Sequence, residues 1–451
     1  MSFTSVTYFL FVGISLLIYT IVPKRAKWCV LLGASAVYYV MAAGLRTLWL
    51  VAAILIVYGG GLLLGHLNDQ GKARRKAAAD KEEKKQIRKK YDAKKRAVVT
   101  VAVLGVFGLL IALKYVNFLG ESAYGIAGLF GSKSAYQPVQ ILLPLGISYY
   151  TLCAVSYVVD VYRGKYKPER NFFKLALFLS FFPQMTEGPI GKYEIMMPRL
   201  VEGHSFNFER DAQAVMRIFW GMFKKMVIAD RANLFVTGVF DNGDQAGSMV
   251  LLGTLLYTVQ IYCEFSGCMD IVCATGQLFG VEMQENFRRP IFSKTINEFW
   301  QRWHITLGAW IKEYVFFSVS LSKGLMNLSK HTRKKLNDYF ANLVPMTFAL
   351  FCVWFFNGIW HGASWKYVLY GLYYYILMMI GMYLRPVSDK LLHALHIAPE
   401  SKGFALFQMV RTFLIVNVGM MLFRCHTISQ WGQSLARIFT DFDGGCLTNG
   451  T

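Results

Sequence analysis

Apolar residues in this chain collect into long runs separated by short charged or glycine-containing breaks. The first five runs are Ser5 to Val22, Trp28 to Ala43, Leu48 to Leu64, Val98 to Leu113 and Ile141 to Val159. A helix needs about 20 apolar residues to cross a hydrocarbon core, and lipid satisfies no backbone group, so each run predicts a membrane helix. The breaks hold Lys24, Arg25 and Lys27; Gly44 to Arg46; a basic block from Asn68 to Ala97; a weakly charged segment with Glu121 and Lys133; then Arg163, Lys165, Lys167 and Arg170. Basic loops stay on the cytoplasmic side, so one orientation fits all of these runs, with the N-terminus outside. No basic region precedes the first run, so that span is expected to remain rather than be cleaved as a signal.

The pattern then becomes irregular. Phe172 to Met185 is short for a span and leads into Thr186-Glu187-Gly188-Pro189-Ile190-Gly191. Glycine and proline free backbone groups, so this stretch reads either as a re-entrant element around a cavity or as a surface loop. The runs Ala214 to Ile228 and Met249 to Phe265 carry Lys224, Lys225, Gln260 and Glu264, and Glu282 to Tyr314 is aromatic, basic and interfacial in character. A second basic stretch follows at Lys323, Lys330, Arg333, Lys334 and Lys335, then runs at Leu343 to Ile359, Tyr367 to Tyr383 and Phe404 to Leu422. The expectation is an all-α polytopic membrane domain over residues 1–451 in the plasma membrane, with about eleven membrane segments, not all of them full crossings. Within it, 68–97 is a cytoplasmic basic helical insertion and 280–340 an interfacial and cytoplasmic region. No internal repeat suggests a symmetric secondary transporter.

Composition agrees, with 55% hydrophobic and 17% charged residues. The net charge of +21 changes the picture less than its size suggests, because its largest block lies between two spans. It marks topology or attracts anionic headgroups or an acidic carrier protein, and does not point to nucleic acid. The eight cysteines form no CxxC pair, and Cys263, Cys268 and Cys273, spaced by five, do not share a helix face. They predict neither a disulfide frame nor a metal site.

Ionisable residues in membrane segments are costly, so two of the eight histidines stand out. His361 lies in Trp354-Phe355-Phe356-Asn357-Gly358-Ile359-Trp360-His361-Gly362-Ala363-Ser364-Trp365, at the junction of two apolar runs. A neutral imidazole there suits a general base that takes a proton from a sugar or polyol hydroxyl attacking an acyl carbonyl, or else it packs helices through a carbonyl hydrogen bond. His304 lies in Phe299-Trp300-Gln301-Arg302-Trp303-His304, where Trp300 and His304 are four apart and are expected to share a helix face. Chemistry and a plain interfacial anchor both fit it. His66, His204, His331, His393, His396 and His426 flank polar loops and read as solvated. There is no GxSxG elbow, GxxxxGK[ST] loop, HExxH or dinucleotide fingerprint.

Several ordered stretches resemble the membrane-bound O-acyltransferase family, in its alginate O-acetyltransferase-like branch. They are Pro144 to Tyr150 with Tyr157 to Arg163; Phe181-Phe182-Pro183-Gln184 with Gly188-Pro189-Ile190; Phe223-Lys224-Lys225 with Ile228-Ala229-Asp230; Tyr262 to Gly267 with Asp270; Asn286-Phe287 with Pro290; Trp300 to His304; and Gly358 to Ala363. The resemblance implies a helical fold around a central funnel, and His361 as the catalytic histidine. It places His304 on the donor-facing side of the same channel, and Trp303, Asn357, Trp360, Gly362, Ser266, Asp270 and Glu187 as supporting or channel residues. It further implies a bacterial enzyme with no tightly bound cofactor. That enzyme would pass an acyl group, expected to be acetyl, from acetyl-coenzyme A or an acyl-carrier protein to an extracytoplasmic glycan, directly or through a secreted partner. D-alanyl transfer toward teichoic acid is the alternative within the family; a transporter and a non-catalytic export scaffold are the alternatives outside it. Two departures stand out: Lys312-Glu313-Tyr314 replaces a common Arg-Asp-Tyr step, and lysine lacks the arginine fork; and many members continue past the position of Thr451.

Overall fold

The computed structural model describes residues 2–132, 134–243 and 245–443, so Lys133 lies outside the described residues. The described residues are helical, with one isolated β-bridge and no named strand. The chain divides into two compact units, residues 1–218 with 270–284 and residues 219–269 with 285–451.

The first unit holds α1 (Val6–Ile21), α2 (Lys27–Ala43), α3 (Thr47–Ala77), α4 (Lys81–Leu110), α5 (Val116–Leu129), α6 (Ile147–Arg163), α7 (Phe172–Ser180) and α8 (Tyr193–Glu202). The basic block is helical: α3 carries its first third to Ala77, and α4 carries most of the rest from Lys81. The turn is closed by reciprocal capping, since Asp80 accepts from the Glu83 amide at 2.6 Å and Glu83 accepts from the Ala79 amide at 3.0 Å. Gly71 permits the arms to meet, because a Cβ there would lie 3.2 Å from the Tyr91 ring. A π-helical turn at Ile111–Tyr115 links α4 to α5, so Glu121, expected in an outer loop, is helical.

The segment after α7 is buried, with Phe181, Phe182, Gln184 and Met185 all shielded, which argues against a surface loop. Its apex rests on the turn before α6, where Gly146 takes φ +67° and a Cβ would run into the Met185 carbonyl. Tyr39 donates to the Leu145 carbonyl beside it. Irregular backbone at this depth is thus covered by protein.

The helix α9 (Phe208–Met222) leads through a π-helical stretch, Phe223–Ala229, into α10 (Asp230–Asp241) of the second unit, and α11 (Gly247–Leu278) follows. The second unit continues with α12 (Ile296–Arg302), α13 (Ile305–Ile311), a π-helical turn at Lys312–Phe316, α14 (Phe317–Ser320), α15 (Lys323–Thr332), α16 (Asp338–His361), α17 (Trp365–Tyr383), α18 (Arg385–Ala394), α19 (Lys402–Arg424) and α20 (Ile428–Thr440).

Among the described residues, five segments are long and apolar enough to cross a membrane: Lys24–Ala77, Lys81–Leu129, Gly247–Leu278, Asp338–His361 and Lys402–Arg424. The pair α17 and α18, bent by 54°, makes a sixth if counted as one span. With 16 and 9 residues, α1 and α7 fall short of a full crossing, in keeping with an expectation of segments that do not all cross.

Backbone contact holds α16 to α17. A Cβ on Gly371 would strike the Trp354 carbonyl and one on Gly358 the Tyr367 carbonyl, the close approach that small residues allow between membrane helices. Gly371→Val is therefore expected to cost about 1–3 kcal/mol by overpacking, read as a lower thermal unfolding midpoint in detergent. Gly33→Ala, with open space around its Cβ, is expected to leave the midpoint unchanged or slightly raised.

Candidate active site

The second unit encloses a cavity of about 1410 Å³. Tyr339 and Asn342 line it near the start of α16, and Asn357 and His361 line it at the end. At 1.5 Å per helical residue, Tyr339 to His361 covers about 33 Å, close to the thickness of a hydrocarbon core. One cavity therefore runs the depth of a membrane along one helix.

His304 enters this cavity from an unexpected conformation. Helix α12 stops at Arg302, Trp303 is extended, and His304 takes the left-handed region at φ 49°, ψ 51°. Trp300 and His304 therefore do not share a helix face, which corrects the expectation drawn from their spacing. A left-handed non-glycine residue costs on the order of 1–3 kcal/mol and persists only where its surroundings fix it. Here Phe287 and Trp303 form an antiparallel bridge, the Arg288 amide donates to the Arg302 carbonyl at 3.0 Å, and the Ile305 amide donates to the Asn286 carbonyl at 3.0 Å. The Asn286 side-chain oxygen accepts from both the amide (3.0 Å) and the hydroxyl (2.7 Å) of Thr306.

The His304 imidazole is 4% exposed, with Phe265 at 4.8 Å and Trp360 at 5.6 Å between ring centroids. Neither ring nitrogen has a hydrogen-bond partner among the described residues. Burial first, and the charge of nearby His361 second, push its pKa from the ordinary value of 6.5 down to about 3. His304 is therefore a neutral imidazole at physiological pH, with one donor and one acceptor nitrogen.

His361 is the last residue of α16 and half-buried. Its ring meets those of Trp360 at 5.0 Å, Phe423 at 5.3 Å and Tyr370 at 5.7 Å. Trp360 thus touches both imidazoles. Asn357, one turn before His361, also lines the cavity, and its buried side-chain oxygen has no hydrogen-bond partner among the described residues. Gly362 ends the helix where a Cβ would overlap the Tyr367 ring.

The cavity brings together His304, His361, Trp303 and Asn357, with Trp360 in ring contact with both histidines. The structure places the other named residues elsewhere. Ser266 accepts from Lys224 at 3.0 Å, and both are buried. Asp270 and Glu187 belong to the first unit, where Asp270 accepts from Arg217 at 2.9 Å and Glu187 lies exposed after the re-entrant turn. Trp300, paired with His304 in the sequence, lines the cavity, as do Gln408 and Arg411, which the sequence did not single out. Trp300 carried a signal in its aromatic neighbours, but Gln408 and Arg411 sit in an apolar run that reads only as a span. Among the described residues no three His, Cys, Asp or Glu side chains gather as metal ligands.

Comparison with known proteins bears on this arrangement. Residues 169–332 match the membrane-bound O-acyltransferase family. The chain is 30% identical to a probable alginate O-acetylase of Azotobacter vinelandii over 438 residues, which is 97% of this chain and 77% of that protein. A peptidoglycan O-acetyltransferase of Helicobacter pylori is 29% identical over 316 residues, 64% of this chain and 56% of that protein. A teichoic acid D-alanyltransferase of Bacillus subtilis is 26% identical over 302 residues, 64% of this chain and 70% of that protein. The family match and the alginate O-acetylase match over 97% of this chain establish that the chain is an acyltransferase belonging to the membrane-bound O-acyltransferase family.

Proposed function

We propose that the chain moves an acetyl group from a cytoplasmic thioester to a hydroxyl of an extracytoplasmic glycan, with transfer at His361. The observation that carries this reading is one cavity with His304 and His361 on its wall and the Trp360 ring in contact with both. The basic stretch ahead of α16 supports a cytoplasmic start for that helix, which sets His361 toward the far side.

The chemistry balances within this pair. The acceptor hydroxyl gives its proton to the neutral His361 imidazole as its oxygen attacks the acyl carbon. The tetrahedral intermediate collapses, the carbon–sulfur bond breaks, and the imidazolium returns the proton to the thiolate, leaving an ester and a thiol. Neutral His304 donates a hydrogen bond to the thioester carbonyl oxygen, where charge develops. Acetyl-coenzyme A and an acyl-carrier protein are the two donors with the required thioester, and a secreted partner is one route from the membrane to the polymer.

Similarity to a teichoic acid D-alanyltransferase supports a second reading, in which the acyl group is D-alanyl and the acceptor a teichoic acid. One measurement separates them: mass analysis of envelope glycans from cells with and without this protein. Loss of acetyl esters on deletion is the expected outcome, loss of alanyl esters transfers the reading to the second, and an unchanged ester pattern overturns both.

A further inference from the structure

We infer that Lys366 is a positioning residue for His361, acting through the end of α19. Lys366 stands in the first turn of α17 and donates to the main-chain carbonyls of Phe423 at 3.2 Å and Cys425 at 2.8 Å. Helix C-termini leave carbonyls without intrahelical donors, and a lysine there satisfies them while matching the negative end of the helix dipole. In a membrane segment the alternative is an unsatisfied carbonyl, which adds to the hold of this clamp. The ammonium also lies 4.8 Å from the Tyr367 ring centroid, a second attraction at the same place.

The clamp fixes Phe423. That ring sits at the centre of a cluster, 5.3 Å from His361, 5.2 Å from Tyr367 and 5.3 Å from Tyr370. His361 ends its helix, so no following turn restrains it, and the torsion that turns an imidazole about its stem is broad. Ring contacts help to set its direction: Trp360 from its own helix, Tyr370 from α17 and Phe423 from α19. Of these, Phe423 stands on the last turn of its helix, where the backbone would fray without a partner. Lys366 supplies that partner from across the junction. A displacement of about 1 Å at a proton-transferring group can cost on the order of a hundredfold in rate, so a clamp two contacts away is enough to matter.

This inference rests on His361 as the base, and the experiment separates the two. The full chain in nanodiscs is given acetyl-coenzyme A and the glycan that loses esters on deletion. Lys366→Met is expected to lower kcat about tenfold or more with the donor KM within about twofold, since binding along the cavity is untouched. Lys366→Arg, which can reach both carbonyls, is expected to recover most of the loss, and Phe423→Leu to behave as Lys366→Met. Independently of turnover, the rate of His361 modification by diethyl pyrocarbonate, mapped by mass spectrometry, is expected to rise severalfold in Lys366→Met and to stay at the wild-type rate in Lys366→Arg. Wild-type kcat and wild-type His361 modification in Lys366→Met would overturn the inference, as would equal losses in the Met and Arg variants. A fully active His361→Ala would overturn the reading beneath it, whereas an inactive His361→Ala beside a fully active Lys366→Met would remove only the clamp.

Discussion

Replacing His361 by alanine is expected to lower acyl transfer by about 10² to 10⁴, the usual range for a positioned general base, while the protein stays folded in the membrane. The fold should tolerate the change because His361 ends α16 and is only half-buried. The helix contacts that matter most lie one turn or more earlier, where Gly358 meets the α17 backbone and Trp354 stacks on Tyr374 at 5.4 Å. Activity should not tolerate it, because the other imidazole on the cavity wall does not replace it: His304 is buried with a pKa near 3, too weak a base to accept a hydroxyl proton effectively near neutrality. The measurement is labelled acetyl transfer by purified protein at matched unfolding midpoint. Full transfer in this variant would falsify the assignment; loss of transfer together with a lowered midpoint would call for His361→Asn, whose smaller change in volume isolates the imidazole's basicity.

The sequence shows this site unevenly, and the reason is physical. Apolar runs locate helices well, so Trp28 to Ala43 and Phe404 to Leu422 recur within a residue or two as α2 and α19. Runs do not locate helix ends in water, where capping and side-chain entropy decide. The basic block is therefore legible as charge, but not as two helical arms closed by Asp80 and Glu83. Polar residues inside a span mislead in the other direction: α11 extends to Leu278 although Glu264 and Asp270 interrupt its hydropathy, because Lys225 and Arg217 pair with them.

Local spacing fails most clearly at His304. Trp300 and His304 look helical together because an i, i+4 pair is a helix signal, yet the bridge between Phe287 and Trp303 ends the helix two residues earlier. That bridge depends on Asn286, 18 positions away, and no local pattern carries it. The histidines themselves are legible because imidazoles at the junctions of apolar segments are rare and costly. The cavity wall is not, since Gln408 and Arg411 of α19 face it only once the helices have packed.

His304→Gln is the second variant expected to have a large effect, and it separates chemistry from stability. Loss of the hydrogen bond to the thioester carbonyl is expected to lower kcat by about 10² or more, the cost of removing one donor from a developing oxyanion. The glutamine amide is a donor too, but its longer, unringed side chain does not reproduce an imidazole held between Phe265 and Trp360. Stability should move in the opposite sense at low pH. In the native protein His304 stays neutral until about pH 3, whereas in the unfolded chain it takes a proton near 6.5. Between those values the unfolded state binds more protons, so native stability rises with pH and falls as the pH drops below about 6.5, by up to about 1.4 kcal/mol per pH unit from this one group. Thermal midpoints of wild type and His304→Gln, measured in detergent from pH 7.5 to 4.5, should therefore converge or cross on acidification, because glutamine carries no such penalty. Parallel midpoint curves would show that His304 titrates in the folded protein much as in water, and would remove the basis for treating it as a neutral hydrogen-bond donor.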